Sequence, residues 1–375
     1  MIYLDFNATT PVLPEVREAM LPFLTNEWGN PSSSYRMGAR ATQALDRARA
    51  QVAQLLDASP SEIVFTSCAT EANNAAIQSA LTTNPGKRHV ITSRAEHSSV
   101  LHFCEVLSTR GYDVTFLPVS AEGLIDLHQL EAKIRPDTAV VSLMWANNET
   151  GVISPVHEIG NICEHLGVFF HCDAVQAAGK LPVSFGGAPI DFLTVSGHKL
   201  GAPKGVGALV VREGVAFHPL IVGGKQESGR RGGTESVPLI VALGVACEQA
   251  QRRGPNAWDR VAKLRDDFEE QLMATLTGAY RNVSAAPRLP NTLNFGIRGV
   301  DSDSLVTFCD AQGVCVSSGS ACMESAISPS HVLLAMTGSH SRASEALRIS
   351  LGLETKREEL TRCVTLLQQF LNLMQ

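Results

Sequence analysis

The sequence lacks long apolar stretches, basic clusters and paired cysteines, and each absence excludes a class of protein. No segment approaches the ~18 consecutive apolar residues of a membrane-spanning helix. No run of Lys and Arg exceeds two residues and the formal net charge is −6, which argues against nucleic acid as a partner. The nine cysteines form no C-x-x-C pair, so neither a bound structural metal nor a disulfide framework is expected.

The amino terminus also lacks a targeting signal, because residues 1–5 show neither a basic flank nor an apolar core. We therefore expect a cytoplasmic protein that does not bind membranes. Its 44% hydrophobic and 18% charged residues are typical of a globular protein. No internal repeat is apparent, and 375 residues are enough for two or three domains.

Short β-branched runs alternate with helical patterns from about residue 62 onwards. The strand-like runs are residues 62–66, 89–92, 113–117, 139–143, 168–173, 192–196 and 208–211. This alternation predicts an α/β fold, with a mainly parallel sheet sandwiched by helices. After a break at residues 254–256 the pattern indicates a smaller α+β domain. We predict an amino-terminal segment at 1–15 that packs with the small domain, a large domain at 16–255 and a small domain at 256–375.

Polar loops follow five of the predicted strands. They are residues 67–71, 95–99, 145–151, Asp173 and 196–199. Each has an ordinary explanation, since Thr70 can cap a helix, His97 can cap one or lie on the surface, and Asn148 lies in turn-like sequence. Ligands of open α/β sheets bind at the carboxyl ends of the strands, so five polar loops at that edge favour a binding site.

An acid and an amine at this edge suit the two ends of pyridoxal phosphate. Asp173 would keep the ring nitrogen protonated, because an opposite charge typically moves a pKa by ~1–3 units. Lys199 would bind the aldehyde. Lys204 is a rival amine that these residues alone do not exclude, although its Gly- and Pro-rich context favours an ordinary loop charge.

Two further residues have competing interpretations. Cys322 ends a run of small residues, 317–322, in a segment without a strong apolar pattern. It is either a nucleophilic thiol that needs an acid–base partner or a buried small apolar residue. Arg348 lies in an apolar strand, and it either clamps a substrate carboxylate or occupies a surface edge.

The chain resembles the NifS/IscS-type cysteine desulfurases of the fold-type I pyridoxal-phosphate enzymes over nearly its whole length. That fold has a seven-stranded, mainly parallel sheet. The resemblance rests on several motifs: Tyr3-Leu4-Asp5, Gly29-Asn30-Pro31, Ala69-Thr70-Glu71, Glu96-His97, Asn147-Asn148-Glu149, Asp173-Ala174-Val175-Gln176, Ser196-Gly197-His198-Lys199, Arg230-Arg231-Gly232-Gly233-Thr234 and Ser317-Ser318-Gly319-Ser320-Ala321-Cys322.

The resemblance implies a role for each site residue. Lys199 would bind the cofactor aldehyde, Asp173 the pyridine nitrogen, and Gln176 and Asn148 the phenolic oxygen. His97 would stack on the ring and move protons. The phosphate would be bound by Ala69, Thr70, Ser196 and His198, with Thr234 reaching across from a second subunit of a homodimer. Asn148 would also contact substrate. Cys322 would form the persulfide, and Arg348 would hold the substrate carboxylate.

The implied reaction removes sulfur from L-cysteine and leaves L-alanine. A mobile loop, as in the long-loop group, would pass the sulfur from Cys322 to an acceptor such as an iron–sulfur scaffold of the IscU/NifU type. Any contact between Cys322 and an acceptor's cluster would be transient. Selenocysteine lysis, an aminotransferase reaction and a non-catalytic docking role are the alternatives. Two departures from the family pattern are Cys68, where glycine is usual, and Phe6.

Overall fold

A seven-stranded sheet forms the centre of the computed structural model, which describes residues 1–319 and 329–374. The strand order is β2-β8-β7-β6-β5-β3-β4. Strands β4, β3, β5, β6 and β7 are parallel to one another, and β8 runs antiparallel to both β7 and β2. The predicted α/β class with a mainly parallel seven-stranded sheet is confirmed.

The strands and helices of the described residues alternate along most of the chain. The strands are β1 (Ile2–Tyr3), β2 (Ile63–Thr66), β3 (His89–Ser93), β4 (Asp113–Leu117), β5 (Thr138–Met144), β6 (Phe169–Asp173), β7 (Phe192–Ser196), β8 (Gly207–Val211), β9 (Ala279–Arg281), β10 (Thr292–Ile297), β11 (Val314–Cys315) and β12 (Ala346–Ser350). The helices are α1 (Pro14–Thr25), α2 (Arg36–Leu56), α3 (Ala69–Thr83), α4 (Ser98–Thr109), α5 (Leu127–Lys133), α6 (Val156–His165), α7 (Val237–Arg253), α8 (Asp259–Thr275), α9 (Ser302–Ala311), α10 (His331–Thr337), α11 (His340–Ser344) and α12 (Arg357–Leu373).

Helices cover both faces of the central sheet. Helices α1, α2, α6 and α7 pack on one face in a continuous apolar cluster, and α3 and α4 pack on the other. All seven residues of β5 are buried, as expected for a strand covered on both faces, where side chains of either direction meet a helix. This enclosure leaves the strand ends as the places where polar groups of the sheet can meet a ligand.

A second apolar cluster lies around a three-stranded antiparallel sheet of order β12-β10-β9. Helices α8, α9 and α12 pack against it, and Leu4 of the amino-terminal segment belongs to the same cluster. Strand β1 pairs in parallel with β11. The division of the chain at residues 15 and 255 stays a prediction. Within the described residues, no helix has both the length and the apolar content needed to cross a bilayer.

Glu122 ties a long connection to a distant loop. Its carboxylate accepts hydrogen bonds from the backbone N–H groups of Ser284, Ala285 and Ala286 at 2.9, 2.9 and 3.2 Å. These hydrogen bonds lower the pKa of Glu122 to about 2, and the bond from Ala285 has the largest effect. Burial acts in the opposite direction and raises the pKa. A carboxylate with a lowered pKa stabilises the fold at neutral pH, and that stabilisation is lost as pH falls through the folded-state value.

We expect Glu122→Gln to reduce the free energy of unfolding at pH 7 by about 1 kcal/mol, allowing for solvent screening of this partly exposed group. The difference from wild type should shrink between about pH 4.5 and pH 2, because the wild-type carboxylate is then protonated as well. Urea unfolding at pH 7 and pH 3 measures both values. The matched control is Glu131→Gln, because Glu131 is an exposed residue of helix α5. An equal deficit at both pH values would contradict the assignment.

Candidate active site

The five predicted polar loops meet at one edge of the central sheet. Met144 of β5 and Thr194 of β7 both pair with Asp173 of β6. Ser196, two residues beyond Thr194, pairs with Gly207, which also pairs with Thr66 at the end of β2. The ends of β2, β5, β6 and β7 are therefore neighbours, and β3 adds the loop that carries His97.

Asp173 is nearly buried at this edge and is held by two donors. Its Oδ1 accepts from the backbone N–H of Val175 at 3.0 Å, and its Oδ2 accepts from Asn73 Nδ2 at 2.8 Å. Asn73 Nδ2 also donates to Ser99 Oγ at 2.9 Å. The carboxylate is thus fixed in orientation while keeping lone pairs for a ligand. Asn73, an amide on the buried face of α3, was not predicted as a site residue, and no local pattern indicates it.

His97 occupies the N-cap position of α4, as one of its two interpretations predicted. Its Nδ1 accepts from the backbone N–H of Ser99 at 3.2 Å and lies 2.8 Å from Ser99 Oγ. Burial lowers the pKa of His97; Asp173 opposes this effect and Lys199 adds to it. The imidazole is therefore neutral at neutral pH, the state in which it can accept a proton.

Lys199 lies in a short 3₁₀ turn, Gly197–Lys199, directly after β7. Its Nζ donates to the backbone carbonyls of Asn7 and of Ala8, the latter at 2.7 Å. Its charge acts on His97, Lys180 and His198, so the amine lies among the site residues. The rival amine, Lys204, is on an exposed loop.

The start of α3 forms a cradle beside Ser196 and His198. Helix α3 begins at Ala69, with Cys68 at the N-cap position and no side-chain cap. The alternative that Thr70 caps this helix is wrong, because Thr70 is already inside the first turn. A Cβ on Gly207 would lie 2.8 Å from the carbonyl oxygen of Val195 and 3.2 Å from Ala69 N, so only glycine lets β8 approach the start of α3 this closely. Free N–H groups at a helix start favour a phosphate.

His198 and Thr234 approach this cradle from different elements. His198 Nδ1 lies 3.2 Å from Thr9 Oγ1. Burial, followed by the charges of Lys199, Lys204 and His97, lowers the pKa of His198 to about 4, so it is neutral near pH 7. Thr234 is exposed on the wall of a cavity of about 200 Å³ that Ser67 also lines.

Arg348 is a buried cation whose Nε has no partner among the described residues. Its Nη2 pairs with Asp5 Oδ1 at 2.6 Å and its Nη1 donates to the carbonyl of Asn148 at 3.1 Å. Its Nε is buried and has no hydrogen-bond partner among the described residues. Arg348 is 3% exposed, so the alternative of a surface edge position is wrong. A buried unpaired N–H is costly, and a substrate carboxylate would supply its acceptor.

Asn7 connects parts of the site that lie far apart in sequence. Its Nδ2 donates to the carbonyl of Asn148 at 3.1 Å and to Thr292 Oγ1 at 2.8 Å. Its own carbonyl accepts from Gln176 Nε2 at 3.0 Å and from Lys199. Asn7 is 1% exposed. A polar residue buried between apolar neighbours is the only local signal that could have indicated it.

Cys322 lies outside the described residues, so its predicted position stays a prediction. The described chain on either side converges on Glu149. Ser330 Oγ donates to Glu149 Oε2 at 2.5 Å, and a Cβ on Gly319 would lie 2.8 Å from the same oxygen. Ser317 also pairs with Arg348 through two backbone hydrogen bonds, of 2.7 and 3.2 Å. Gly319 and Ser330, which flank Cys322 in the sequence, therefore both lie beside the site.

The other eight cysteines are free thiols. Six are buried, and Cys68 and Cys315 are partly exposed. Burial raises the pKa of Cys104, Cys163 and Cys247 to about 12. A thiol with so high a pKa is almost entirely protonated at neutral pH and is a poor nucleophile. This fits the interpretation of these cysteines as small apolar residues.

The donor set at this edge fits pyridoxal phosphate. It supplies a fixed carboxylate at Asp173, an amine at Lys199 and free N–H groups at the start of α3. Glycine at position 207 lets β8 pack directly against the start of that helix, because a Cβ there would lie 3.0 Å from the carbonyl carbon of Cys68. A neutral imidazole, His97, completes the set.

Comparison with known proteins identifies the family of this chain. Residues 2–363 match the aminotransferase class-V family. A cysteine desulfurase of Trichormus azollae is 47% identical over 98% of this chain and 92% of its own length. The cysteine desulfurase NifS of Azotobacter vinelandii is 43% identical over 97% and 90%. The chain belongs to the cysteine desulfurases of the class-V aminotransferase family.

Solved structures give the same result. A NifS-like protein superposes with a TM-score of 0.93 at 37% identity, covering 99% of both chains. A structure of SspA in complex with cysteine has a TM-score of 0.84 at 38% identity, and covers 94% of this chain and 99% of that one.

Proposed function

We propose that this protein binds pyridoxal phosphate and removes sulfur from L-cysteine, releasing L-alanine. The observation that carries the proposal is the meeting of Asp173, His97 and Lys199 at one sheet edge, with the free Nε of buried Arg348 nearby, in a chain that belongs to the cysteine desulfurases. SspA, a structural relative, was solved in complex with cysteine. The carboxylate of an amino acid would accept a hydrogen bond from Arg348 Nε.

Several residues would hold the cofactor. Pyridoxal phosphate, when bound, links covalently to an amine and withdraws electrons from the α-carbon of an amino acid. Asp173 would hold the pyridine nitrogen, and Lys199 the aldehyde carbon. Gln176 and Asn148 would donate to the phenolic oxygen. The phosphate would lie against Ala69, Thr70, Ser196 and His198.

The remaining residues would handle the substrate. Arg348 would orient the carboxylate with Nε, and the neutral imidazole of His97 would take a proton from the incoming amine or thiol. The thiolate of Cys322 would attack the substrate sulfur. The carbon–sulfur bond breaks, the sulfur stays on Cys322 as a persulfide, and the carbon skeleton takes up a proton and leaves as alanine. No separate oxidant is needed, because the electron pair of the broken carbon–sulfur bond stays with the carbon skeleton, which is reduced as the transferred sulfur is oxidised.

The protein would act as a cytoplasmic homodimer that passes its persulfide to an acceptor protein. The backbone N–H of Gly232 donates to the carbonyl of Ile221 at 2.9 Å, so Val222 and Thr234 lie on one folded segment. Leu220, Ile221 and Val222 form an exposed apolar run, with Val222 at 83% exposure, and Thr234 is exposed on the same segment. A contiguous run of exposed apolar side chains supports contact with a second subunit. An iron–sulfur scaffold is the acceptor we propose.

Incubation with L-cysteine tests the activity. We expect equal amounts of alanine and transferable sulfur, and a mass increase of one sulfur atom on the peptide that contains Cys322. Borohydride reduction of the resting protein should attach the cofactor to Lys199. Release of a keto acid instead of alanine would indicate an aminotransferase, and turnover of selenocysteine alone would indicate a selenocysteine lyase. A colourless protein that takes up no pyridoxal phosphate would exclude all three enzyme activities.

A further inference from the structure

Lys180 is a second buried amine at the site, and none of the roles given above uses it. It is 7% exposed, and lysine is almost never fully buried unless it is paired. Its Nζ donates to Gln176 Oε1 at 2.7 Å. Within residues 1–319 and 329–374 no acidic side chain forms an ion pair with Lys180. Its burial therefore calls for an explanation other than a salt bridge.

The charges around Lys180 make its position costly. Burial, followed by the positive charges of Lys199 and Arg348, lowers the pKa of Lys180 to about 7. Lys180 also lines a cavity of about 190 Å³ whose wall includes Lys199, Arg253 and Glu354. A buried amine among other cations gains little from being there for stability alone.

The hydrogen bonds of Gln176 show what the amine can do. A lysine ammonium only donates and a backbone carbonyl only accepts. Lys180 therefore fixes the Gln176 carbonyl oxygen on its own side, and the Asn7 carbonyl fixes the NH₂ group on the other, at 3.0 Å. One N–H of that NH₂ group remains for a ligand. The same Asn7 carbonyl also accepts from Lys199 Nζ. Gln176 Nε2 therefore lies close to the amine that would hold the cofactor.

We propose that Lys180 is a positioning residue that locks the amide of Gln176 with its N–H donor facing the cofactor's phenolic oxygen. The inference rests on the proposed function. Without Lys180 only the Asn7 carbonyl still holds the amide, and in an amide that turns over the carbonyl oxygen would face another oxygen. The phenolic oxygen would lose both a hydrogen-bond donor and a nearby positive charge. Both losses favour the protonated, more positive state of the bound cofactor.

The pH at which the visible absorbance of the bound cofactor changes measures this effect directly. In Lys180→Met we expect that midpoint to rise by about 0.5 pH unit or more, and kcat to fall about tenfold with KM little changed. Lys180→Arg keeps a donor and a charge and should stay within about 0.2 pH unit of wild type. Lys133→Met, an exposed lysine on α5, is the matched control and should change neither quantity.

Gln176 variants separate positioning from a general effect of charge. Gln176→Glu keeps an acceptor for Lys180 but has no N–H to offer, so it should raise the midpoint as Lys180→Met does, whether or not Lys180→Met folds. In a Gln176→Met background, Lys180→Met should add a distinctly smaller shift, because the positive charge is still lost but no amide is left to position. An unchanged midpoint in Lys180→Met, or the same shift with and without Gln176, would overturn the inference.

Borohydride mapping keeps this test independent of the proposed function. We expect every folded variant to carry the reduced cofactor on Lys199. Failure of the wild-type protein to be labelled there would refute the proposed function itself. Labelled protein whose midpoint does not depend on Lys180 would refute only the positioning role.

Discussion

Replacing Cys322 by Ala is expected to lower sulfide release from L-cysteine by ~10³-fold or more, because the proposed reaction has no other group to receive the sulfur. The colour of the bound cofactor should be unchanged, since Asp173 and Lys199 remain. Sulfide assays with a thiol reductant, together with an absorbance spectrum of the purified variant, measure both quantities. Alanine formation should fall in parallel, because it requires the same bond to break.

Cys68→Ala is the matched control for this experiment. Cys68 is partly exposed and adjoins the phosphate cradle, so it is the thiol best placed to substitute for Cys322 or to be oxidised in its stead. We expect this variant to retain activity within about twofold. If Cys322→Ala kept full activity while Cys68→Ala lost it, the sulfur acceptor would have to be reassigned to the start of α3.

Arg348→Met is expected to reduce kcat/KM for L-cysteine by about 10²-fold or more, because a charge-assisted contact with the carboxylate contributes ~1.5–3 kcal/mol and more than one can form. The same change should destabilise the fold. It leaves Asp5 without its partner, and breaking a buried ion pair typically costs ~3–5 kcal/mol. Steady-state kinetics and thermal unfolding measure the two effects separately.

Asp5→Asn separates substrate binding from stability. It removes the ion pair but keeps the guanidinium, so we expect a lower melting temperature with KM unchanged or reduced. Arg348→Lys keeps the positive charge but not the planar guanidinium, so kcat/KM should fall most of the way to the value for Arg348→Met. Arg342→Met, an arginine that stacks on Tyr280 away from the site, is the control. Unaltered kinetics in Arg348→Met would contradict the carboxylate clamp.

The strand ends were predictable because they are set by local pattern. Short β-branched runs between helical segments specify parallel strands, and parallel strands place their following loops at one edge. Asp173, Ser196 and His97 follow such runs directly, so their meeting could be predicted. The predicted strands 113–117 and 192–196 coincide with β4 and β7. Helix α1, which follows Leu13 without a polar cap, was not predicted.

The hydrogen-bonded support around those residues could not be predicted, because it is made by contacts between distant segments. Asn73 reaches Asp173 across 100 positions, and Gln176 reaches Asn7 across 169. No periodicity records such contacts. Lys180 follows a run of small residues, 177–179, which carries no local signal that its amine is buried. Thr70 was misplaced by two positions because alanine, Ala69, can begin a helix without a polar cap.

The contacts of Asn7 also affect when the enzyme can become competent during synthesis. The backbone N–H of Asn7 donates to Ser350 Oγ, which lies 343 positions later, and Arg348 reaches back to Asp5 over the same span. A nascent chain still lacking its last few dozen residues therefore cannot complete this pocket, however well its central sheet has formed. Truncation from the carboxyl end, or extension that displaces the first few residues, would each leave a folded sheet with an unfinished pocket.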